Sequence, residues 1–275
     1  MTARRLWAAV EPLHAVVYFA PETAAAAKAV GLRGYWMGYF EGRLAPLGPV
    51  GPGPATSVLF GFAPGMVARA LPDAWSFADP ADVVRTRVEA VSDVLRNLVG
   101  ADHEELADLL ERAVDACRFD GRPLAAAWAA VPKPADVVGR LWLATTILRE
   151  HRGDGHVLAA VHAGLSGLET TLTHIGDGVI RRADVQPHRG WTDVEWDAAV
   201  ESLRDCGLLD GDRLTPAGKA VRQRVEDDTD RLASDPVEAL GDDLDRLLEL
   251  AVPLSRAVFD AGVVPVPNPM GVSRT

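Results

Sequence analysis

The most regular feature of the sequence is the spacing of its apolar residues, which recur at intervals of three and four along much of the chain. This spacing is typical of amphipathic helices that pack one face against a core. Stretches rich in proline, at 46–54 and 132–134, interrupt the pattern and predict loops. The clearest predicted helices cover residues 4–19, 82–98, 103–117, 136–151, 193–206 and 236–259. The fold is therefore predicted to be mainly α-helical.

A short β-hairpin is predicted after residue 207. Thr192 and Glu195 have the three-residue spacing of a capping box, and the helix that they begin is expected to end at Gly207. The dipeptide Asp210-Gly211 then separates two short apolar pieces, which is the pattern of a tight hairpin. Thr215 is expected to cap the next helix, because a proline occupies the position after it.

Two further interruptions are predicted in the second half of the chain. Gly153-Asp154-Gly155 is expected to turn the chain between two helices, with Asp154 as the N-cap of the second helix. Residues 176–190 are expected to form a loop.

An internal repeat suggests how the chain is organised. Arg5-Leu6-Trp7 recurs as Arg140-Leu141-Trp142, and a histidine follows each copy, at His14 and His151. The repeat predicts two tandem winged-helix units joined by long helices, the first of them degenerate. The predicted boundaries are 1–122 for the N-terminal unit, 123–260 for the C-terminal winged-helix unit and 261–275 for a loose tail.

Composition narrows the class of protein. Hydrophobic residues make up 48% and charged residues 24% of the chain, as in ordinary globular proteins. No apolar run is long enough to cross a membrane, and the first ten residues lack the apolar segment of a signal peptide. The two cysteines, Cys117 and Cys206, have no metal-binding spacing and are expected to be reduced. We therefore expect a cytoplasmic protein without a membrane partner.

Two resemblances to known families bear on the fold. Residues 191–232 resemble the MarR-like winged helix through Cys206-Gly207-Leu208-Leu209 and Leu214-Thr215-Pro216-Ala217-Gly218. More of the chain resembles the actinobacterial SalK-like helix-turn-helix family. The matching motifs are Glu11-Pro12-Leu13-His14, Tyr18-Phe19-Ala20-Pro21-Glu22, Gly34-Tyr35-Trp36-Met37-Gly38-Tyr39-Phe40, Arg43-Leu44-Ala45-Pro46-Leu47-Gly48 and Arg149-Glu150-His151-Arg152-Gly153-Asp154-Gly155-His156. Some members of that family lie among natural-product biosynthesis genes. The resemblance therefore implies a fold and a context of specialised metabolism, but no reaction.

The distribution of charge disfavours DNA as a partner. The formal net charge is −11, and residues 186–250 hold seventeen Asp/Glu against eight Lys/Arg. The helix at the place of a recognition helix carries five carboxylates and one arginine, and phosphates would repel it. The preferred hypothesis is a small-molecule-binding protein or enzyme on a repurposed winged-helix scaffold, with its pocket between the two units. The alternatives are a MarR-like transcriptional regulator and an acidic protein-interaction module.

Three histidines are candidate acid–base groups. His14 shares a helical face with Tyr18 and Glu11, whereas His151 and His156 lie in the polar segment 149–156. Histidine titrates near neutral pH, so each could act as a general acid or base. The alternative explanation for His14 is a core histidine with satisfied hydrogen bonds, and that for segment 149–156 is a helix end followed by a cap.

Arginine and tyrosine side chains are the candidate ligand contacts. Arg149 and Arg152 could bind an anion bidentately. Tyr18, Tyr35 and Arg43 could contact a planar ligand, although such aromatic runs also occur as core. No metal site is predicted, because no suitable cluster of ligands exists in the sequence. The sequence indicates no particular cofactor. The predicted helix at 236–259 could mediate formation of a homodimer.

Overall fold

The computed structural model describes residues 2–268, 270–272 and 274, and helices dominate this part of the chain. The helices of the first half are α1 Thr2–Phe19, α2 Pro21–Ala29, α3 Gly34–Leu44, α4 Pro52–Val58, α5 Pro64–Ala68, α6 Pro80–Val99, α7 Glu104–Asp115, α8 Pro123–Ala129 and α9 Val137–His162. Short 3-10 turns lie at Ala45–Leu47 and Asp73–Ser76. None of the helices in the described residues combines the length and apolar character that a bilayer-spanning helix needs.

The second half contains the hairpin and six more helices. They are α10 Gly167–Gly176, α11 Arg182–Arg189, α12 Asp193–Asp205, β1 Leu209–Asp210, β2 Arg213–Leu214, α13 Pro216–Leu232, α14 Asp235–Leu240 and α15 Asp243–Asp260. The predicted mainly α-helical, winged-helix-like fold class is confirmed. The tandem arrangement of two such units stays a prediction.

The local signals around the hairpin act as the sequence predicts. Thr192 accepts a hydrogen bond from the Glu195 amide, and the Glu195 carboxylate accepts one from the Thr192 amide, so the capping box begins α12. In the antiparallel hairpin Leu209 pairs with Leu214, and both side chains are buried. Thr215 accepts a hydrogen bond from the Gly218 amide at 3.1 Å, which caps α13.

The predicted turn at Gly153-Asp154-Gly155 is wrong, because these residues lie inside α9, a single helix of 26 residues. Contacts with another part of the chain explain the glycine and the aspartate. Gly155 leaves room for the Arg122 guanidinium, which a Cβ atom at residue 155 would meet at 2.8 Å. Asp154 Oδ2 accepts hydrogen bonds from the Leu124 and Ala125 amides at 3.0 and 2.9 Å, so it caps α8 instead of a new helix.

The predicted loop 176–190 also differs from the structure, because its second half folds as α11. Val185 is the buried residue of that helix. The side-chain amide Nε2 of Gln186 donates to the Trp191 carbonyl oxygen at 3.1 Å, which fixes the connection to α12. A short helix with a single apolar anchor lacks the repeated pattern that sequence analysis detects.

The buried side chains form a large and a small cluster. The large cluster takes residues from 3 to 148 and from 233 to 264, so it extends across the predicted boundary at residue 122. Its centre includes Trp128 and Trp142, whose rings meet edge to face at 5.8 Å. The small cluster surrounds Trp196 and joins α10, α12, the hairpin and α13 as a winged-helix body.

The predicted domain boundaries stay a prediction. Within the described residues, the hairpin of the winged-helix body is the one strand pair, so the first half carries no second wing. In the predicted tail, Val264, Asn268 and Val272 are buried, and the side-chain amide Nδ2 of Asn268 donates to the Val272 carbonyl oxygen at 2.7 Å.

Candidate functional site

We call the part of the structure built around the large cluster the larger body. A polar seam runs between α1 and α9, the two helices at its centre. Trp7 lies against Arg152, Glu11 against Arg149 and His14 against Thr146. The helices therefore run antiparallel, since successive residues of α1 meet successively earlier residues of α9. Burial of this seam removes several charged groups from water, so each needs a partner inside the protein.

Glu150 is the charge centre of the seam. Its carboxylate accepts hydrogen bonds from Arg43 Nε at 3.2 Å, Arg43 Nη2 at 2.9 Å and Arg149 Nη1 at 2.6 Å. Burial alone would raise the pKa of Glu150, but the charges of Arg149 and Arg43 outweigh burial and hold that pKa below its usual range. One carboxylate is thus shared by two guanidinium groups.

Glu11 contributes little further negative charge. Its Oε1 lies 3.6 Å from Arg149 Nε, and its buried Oε2 has no hydrogen-bond partner. Burial raises the pKa of Glu11 to about 7, although the charge of Arg149 opposes that shift. Near neutral pH this carboxyl group is therefore protonated in a large fraction of molecules.

Two further arginines add positive charge next to this network. Arg189, from α11, lies over the Phe62 ring at 4.3 Å, and Arg87, from α6, lies 5.5 Å from the centre of the Tyr18 ring. Among the described residues, neither guanidinium has a carboxylate at ion-pair distance. Burial lowers the pKa of both groups. Both residues are half-buried, and a cation shielded from water without a counterion is unfavourable, so this region is suited to receive an anion.

Tyr39 connects these groups. Arg43 Nη1 donates to the Tyr39 hydroxyl oxygen at 3.3 Å, and Arg189 also interacts with that phenol. Burial alone would raise the pKa of Tyr39, but the charges of Arg43, Arg189 and Arg149 outweigh it and lower that pKa. The hydroxyl therefore lies in the positive field of three arginines.

A cleft of about 450 Å³ opens between the larger body and the winged-helix body. Its walls come from α1, α3, α9, α10, α11, α13 and the segment 58–62, and Met270 and Gly271 of the C-terminal segment also line it. Its charged lining residues are the basic Arg4, Arg43, Arg149, Arg152, Arg189 and Arg222 and the acidic Glu11, Glu150, Asp154, Asp177 and Glu226. The Tyr39 hydroxyl also lines the cleft.

Neutral histidines line the winged-helix end of the cleft. His156 Nδ1 lies 3.1 Å from Thr229 Oγ1, and His174 Nδ1 accepts a hydrogen bond from Arg222 Nη2 at 3.1 Å. Burial lowers the pKa of His156 to about 4 and that of His174 to about 3. Both imidazoles are uncharged at neutral pH and offer hydrogen bonds rather than charge.

Comparison with known proteins identifies the scaffold. A family model described as a helix-turn-helix family matches residues 3–265. The chain belongs to this helix-turn-helix family. No curated protein and no solved structure matches it. The narrower SalK-like and MarR-like resemblances stay predictions.

This helix-turn-helix protein brings some of the predicted site residues together and leaves others apart. Arg43, Arg149, Arg152 and His156 all line the cleft. Tyr18 and Tyr35 line a neighbouring cavity that shares Tyr39 with it. The residues that sequence reasoning did not select are Arg87, Glu150, His174 and Arg189, whereas Tyr39 was recognised as sharing a helical face with Tyr35 and Arg43 but was not chosen as a site residue. Tyr39 and Glu150 lay within the quoted motifs, and the four-residue spacing of Tyr39 and Arg43 was an available signal.

The two remaining predicted histidines lie outside the cleft. His14 is fully buried behind Tyr18, with Nε2 3.0 Å from the Tyr18 hydroxyl, and its ring stacks on Trp142. Burial and the charge of Arg149 lower the pKa of His14 well below its usual value. His151 points to another part of the helix-turn-helix protein, with Nε2 3.1 Å from the Arg118 carbonyl oxygen, and burial lowers its pKa to about 4.

The acidic helix of the winged-helix body is exposed, as its sequence implies. The side chains of Asp193, Asp197 and Glu201 are 81%, 73% and 64% exposed. Arg182 pairs with both aspartates and Arg204 pairs with Glu201, so carboxylates outnumber cations on this face of α12 and its net charge is negative. Asp210 and Asp212 are exposed on the hairpin beside it. A DNA phosphate approaching α12 would meet like charge.

Proposed function

We propose that this helix-turn-helix protein binds a polar, anionic small molecule in the cleft between its two bodies. The anionic group of the ligand binds Arg189 and Arg43 beside the Tyr39 hydroxyl. The observation that carries the proposal is that Arg189 lines the cleft wall, half-buried, without a carboxylate at ion-pair distance among the described residues.

The balance of charge supports an anion rather than a cation. The excess of positive charge is local to the Tyr39 hydroxyl, which lies in the field of Arg43, Arg149 and Arg189. The carboxylates beside these arginines are Glu150, which is firmly ionised, and Glu11, whose pKa is raised to about 7 mainly by burial. A carboxylate or phosphate would supply the missing negative charge. Guanidinium groups bind both through paired hydrogen bonds, which are stronger when the site excludes water.

The remaining wall favours a ligand with several polar groups. His156, Thr170 and Gln223 line the cleft and can exchange hydrogen bonds with hydroxyl, amine or amide groups. Glu226 is held by Arg222 and by Arg4, the latter at 3.1 Å, so it leaves little free charge at that end. We infer a hydroxylated or phosphorylated metabolite rather than an apolar one.

The predicted histidines enter the proposal with different roles. We assign a potential acid–base role to His156 because its ring lines the cleft, and its neutral state suits a proton acceptor. His14 lies outside the cleft and orients the hydroxyl of Tyr18, which lines the neighbouring cavity, so we give it a positioning role there. We give His151 no role in the cleft. Binding does not require a reaction, so a sensor and an enzyme both fit this site.

A MarR-like transcriptional regulator is the second candidate. The family match favours it, because helix-turn-helix scaffolds are commonly used to bind DNA. The exposed carboxylates of α12 and the net charge of −11 oppose it. We therefore rank ligand binding first and leave DNA binding to direct measurement.

Calorimetry and thermal unfolding test the proposal. Inorganic phosphate, ribose 5-phosphate and citrate serve as probes, with potassium chloride at matched ionic strength as the reference. A probe at ten times its Kd should stabilise the native state by about 1.4 kcal/mol. Arg189→Gln should abolish this effect. Arg181→Gln is the matched control, because Arg181 precedes the same helix, is exposed and pairs with Asp184 at 2.6 Å.

The outcomes separate clearly. Stabilisation of the wild type and of Arg181→Gln, but not of Arg189→Gln, supports the cleft. The proposal is overturned if no probe exceeds potassium chloride, or if Arg189→Gln responds like the wild type.

A further inference from the structure

A second cavity, of about 480 Å³, lies next to the cleft and has different chemistry. It is enclosed by the end of α1, by α2, by α3 and by α6, whereas the winged-helix body contributes nothing to its lining. Tyr39 separates the two spaces, since its side chain lines both. The second cavity therefore belongs to the larger body alone.

The charged side chains that line this cavity are all basic. They are Lys28, Arg33 and Arg87, and no aspartate or glutamate in the described part of the chain joins them. The cleft, in contrast, is lined by five acidic residues as well as by arginines, namely Glu11, Glu150, Asp154, Asp177 and Glu226. An anion entering the second cavity would meet attraction without a compensating repulsion.

Arg87 is the basic group at the inner end of the cavity. Its Nε is buried and has no hydrogen-bond partner, and the guanidinium rests against the face of Tyr18. Gly42 makes this position available, because a Cβ atom at residue 42 would collide with Arg87 Nη1. The protein thus holds a half-buried guanidinium in place and leaves its buried Nε donor without an acceptor. An unused donor of this kind is the second partner of a bound anion.

The rest of the lining is aromatic and aliphatic. The rings of Tyr18, Tyr35 and Tyr39 form one wall, and Val17, Ala27 and Leu32 contribute apolar surface. Tyr35 and Tyr39 are stacked with ring centres 6.2 Å apart, and the Tyr35 hydroxyl donates to the Tyr18 carbonyl oxygen at 3.4 Å. Such a wall favours a planar apolar body with an anionic end.

We propose that this cavity is a second ligand site, which binds a planar aromatic carboxylate independently of the cleft. The carboxylate pairs with the Arg87 guanidinium, and the aromatic body lies among the three tyrosine rings. A monoanion fits better than a phosphate dianion, because the one guanidinium shielded from water can compensate a single charge but not two. Lys28 and Arg33 line the cavity and are exposed, so they attract the ligand from solvent.

Titration calorimetry with 2-naphthoate tests this site, and 2-naphthamide is the uncharged probe of the same shape. The wild type should bind naphthoate at least tenfold more tightly than naphthamide. Arg87→Gln should weaken naphthoate binding at least tenfold. Arg85→Gln is the matched control, because Arg85 lies on the same helix, is 58% exposed and pairs with Asp82 and Glu89. It should bind like the wild type.

A second variant keeps the test decisive if Arg87→Gln does not fold. Ala24 is an exposed residue of α2 that lines the cavity, so Ala24→Phe should fold normally and block the space. It should lose naphthoate binding by at least tenfold. Arg189→Gln, the cleft variant, should keep it, which separates this proposal from the proposed function. Equal naphthoate affinity in the wild type and Ala24→Phe, or loss of binding in Arg189→Gln alone, overturns the second site.

Discussion

Arg43 and Glu150 form a bidentate ion pair that is removed from solvent, with Nε and Nη2 of Arg43 donating to the two carboxylate oxygens at 3.2 and 2.9 Å. The pair joins α3 to α9 across 107 positions of sequence. Because Arg149 donates to the same carboxylate, Glu150 compensates two cations at once. The positive character of the cleft therefore depends on how this one acidic group is shared.

Replacement of Glu150 tests that sharing. Glu150→Gln leaves the buried Arg43 without a counterion and Arg149 with only the Glu11 carboxyl group at 3.6 Å, so the free energy of unfolding should fall by about 3 kcal/mol. The same change should tighten binding of a cleft anion, because the repelling carboxylate is gone. Urea unfolding measures the first effect and calorimetry with citrate measures the second.

The matched control for Glu150→Gln is Glu89→Gln. Glu89 is exposed and pairs with Arg85 at 3.3 Å, so its loss should change stability by less than about 0.5 kcal/mol. A Glu150→Gln protein as stable as the Glu89→Gln protein would contradict the role assigned to the buried pair.

Glu11 should make stability depend on pH. Its folded pKa is raised to about 7, chiefly by burial, so the native state holds this proton more tightly than the unfolded chain does. The stabilising contribution is complete below the unfolded pKa of about 4.5 and is lost as pH rises through about 7. The total effect is about 3 kcal/mol.

The Glu11→Gln variant isolates this contribution. Other groups also titrate, since burial lowers the pKa of His156 to about 4 and raises that of Asp154 to about 6. Both proteins contain these other titrating groups, so their contributions cancel in the difference between the unfolding free energies of wild type and Glu11→Gln. Unfolding free energies measured from pH 4.5 to 8 should show wild type losing stability relative to the variant. Parallel curves would mean that Glu11 keeps an ordinary pKa.

The winged-helix body could be predicted because its signals are local. The Thr192–Glu195 capping box and the Asp210-Gly211 turn each act within a few residues, and both appear in the structure as the sequence indicates. The prediction of a turn at Gly155 was wrong because this glycine is needed for a contact that the local sequence does not show. Arg122 packs against it from another part of the chain. A glycine selected for close packing resembles a glycine selected for a turn.

The candidate site was predictable only in part for the same reason. Arg43 and Arg149 stood out as arginines within distinctive motifs, and both line the cleft. Arg189 lies in a segment without a regular apolar pattern. Its importance arises from the approach of α11 to Phe62 and Tyr39, which are more than 120 positions away. No local pattern contains that information.

Asp154 should stabilise the start of α8 from its place in the middle of α9. Its Oδ2 accepts hydrogen bonds from the Leu124 and Ala125 amides, and Asp154→Ala would leave both donors unsatisfied in a buried position. We expect a loss of about 1–3 kcal/mol in urea unfolding. Asp154→Asn keeps an acceptor oxygen and should lose less. Equal losses in the two variants would contradict the capping role.

The negative face of α12 should prevent binding to duplex DNA. Fluorescence anisotropy at low salt should give a wild-type Kd weaker than about 100 µM, the weak limit of ordinary nonspecific binding. The double variant Asp197→Lys, Glu201→Lys reverses two exposed charges and should gain salt-sensitive binding. Sequence-preferring binding by the wild type would instead favour the regulator.

Gly167 should control the width of the cleft. It begins α10, and a Cβ atom there would collide with the Phe60 carbonyl oxygen, so the winged-helix body touches the segment 58–62 directly at this glycine. Gly167→Ala must push the two backbones apart, because neither is the flexible end of a side chain. We expect a loss of about 1–3 kcal/mol in unfolding free energy.

The same displacement should weaken binding of a cleft anion, because Phe60, Gly61 and Phe62 form one wall and α10 forms the facing wall. Gly65→Ala is the matched control. Gly65 is a helical residue with open space where the Cβ would lie, so alanine there should leave stability unchanged or raise it by up to about 1 kcal/mol. Citrate affinity should fall in Gly167→Ala and stay constant in Gly65→Ala. If Gly167→Ala lost stability yet bound citrate normally, the ligand would lie away from the contact between the two bodies.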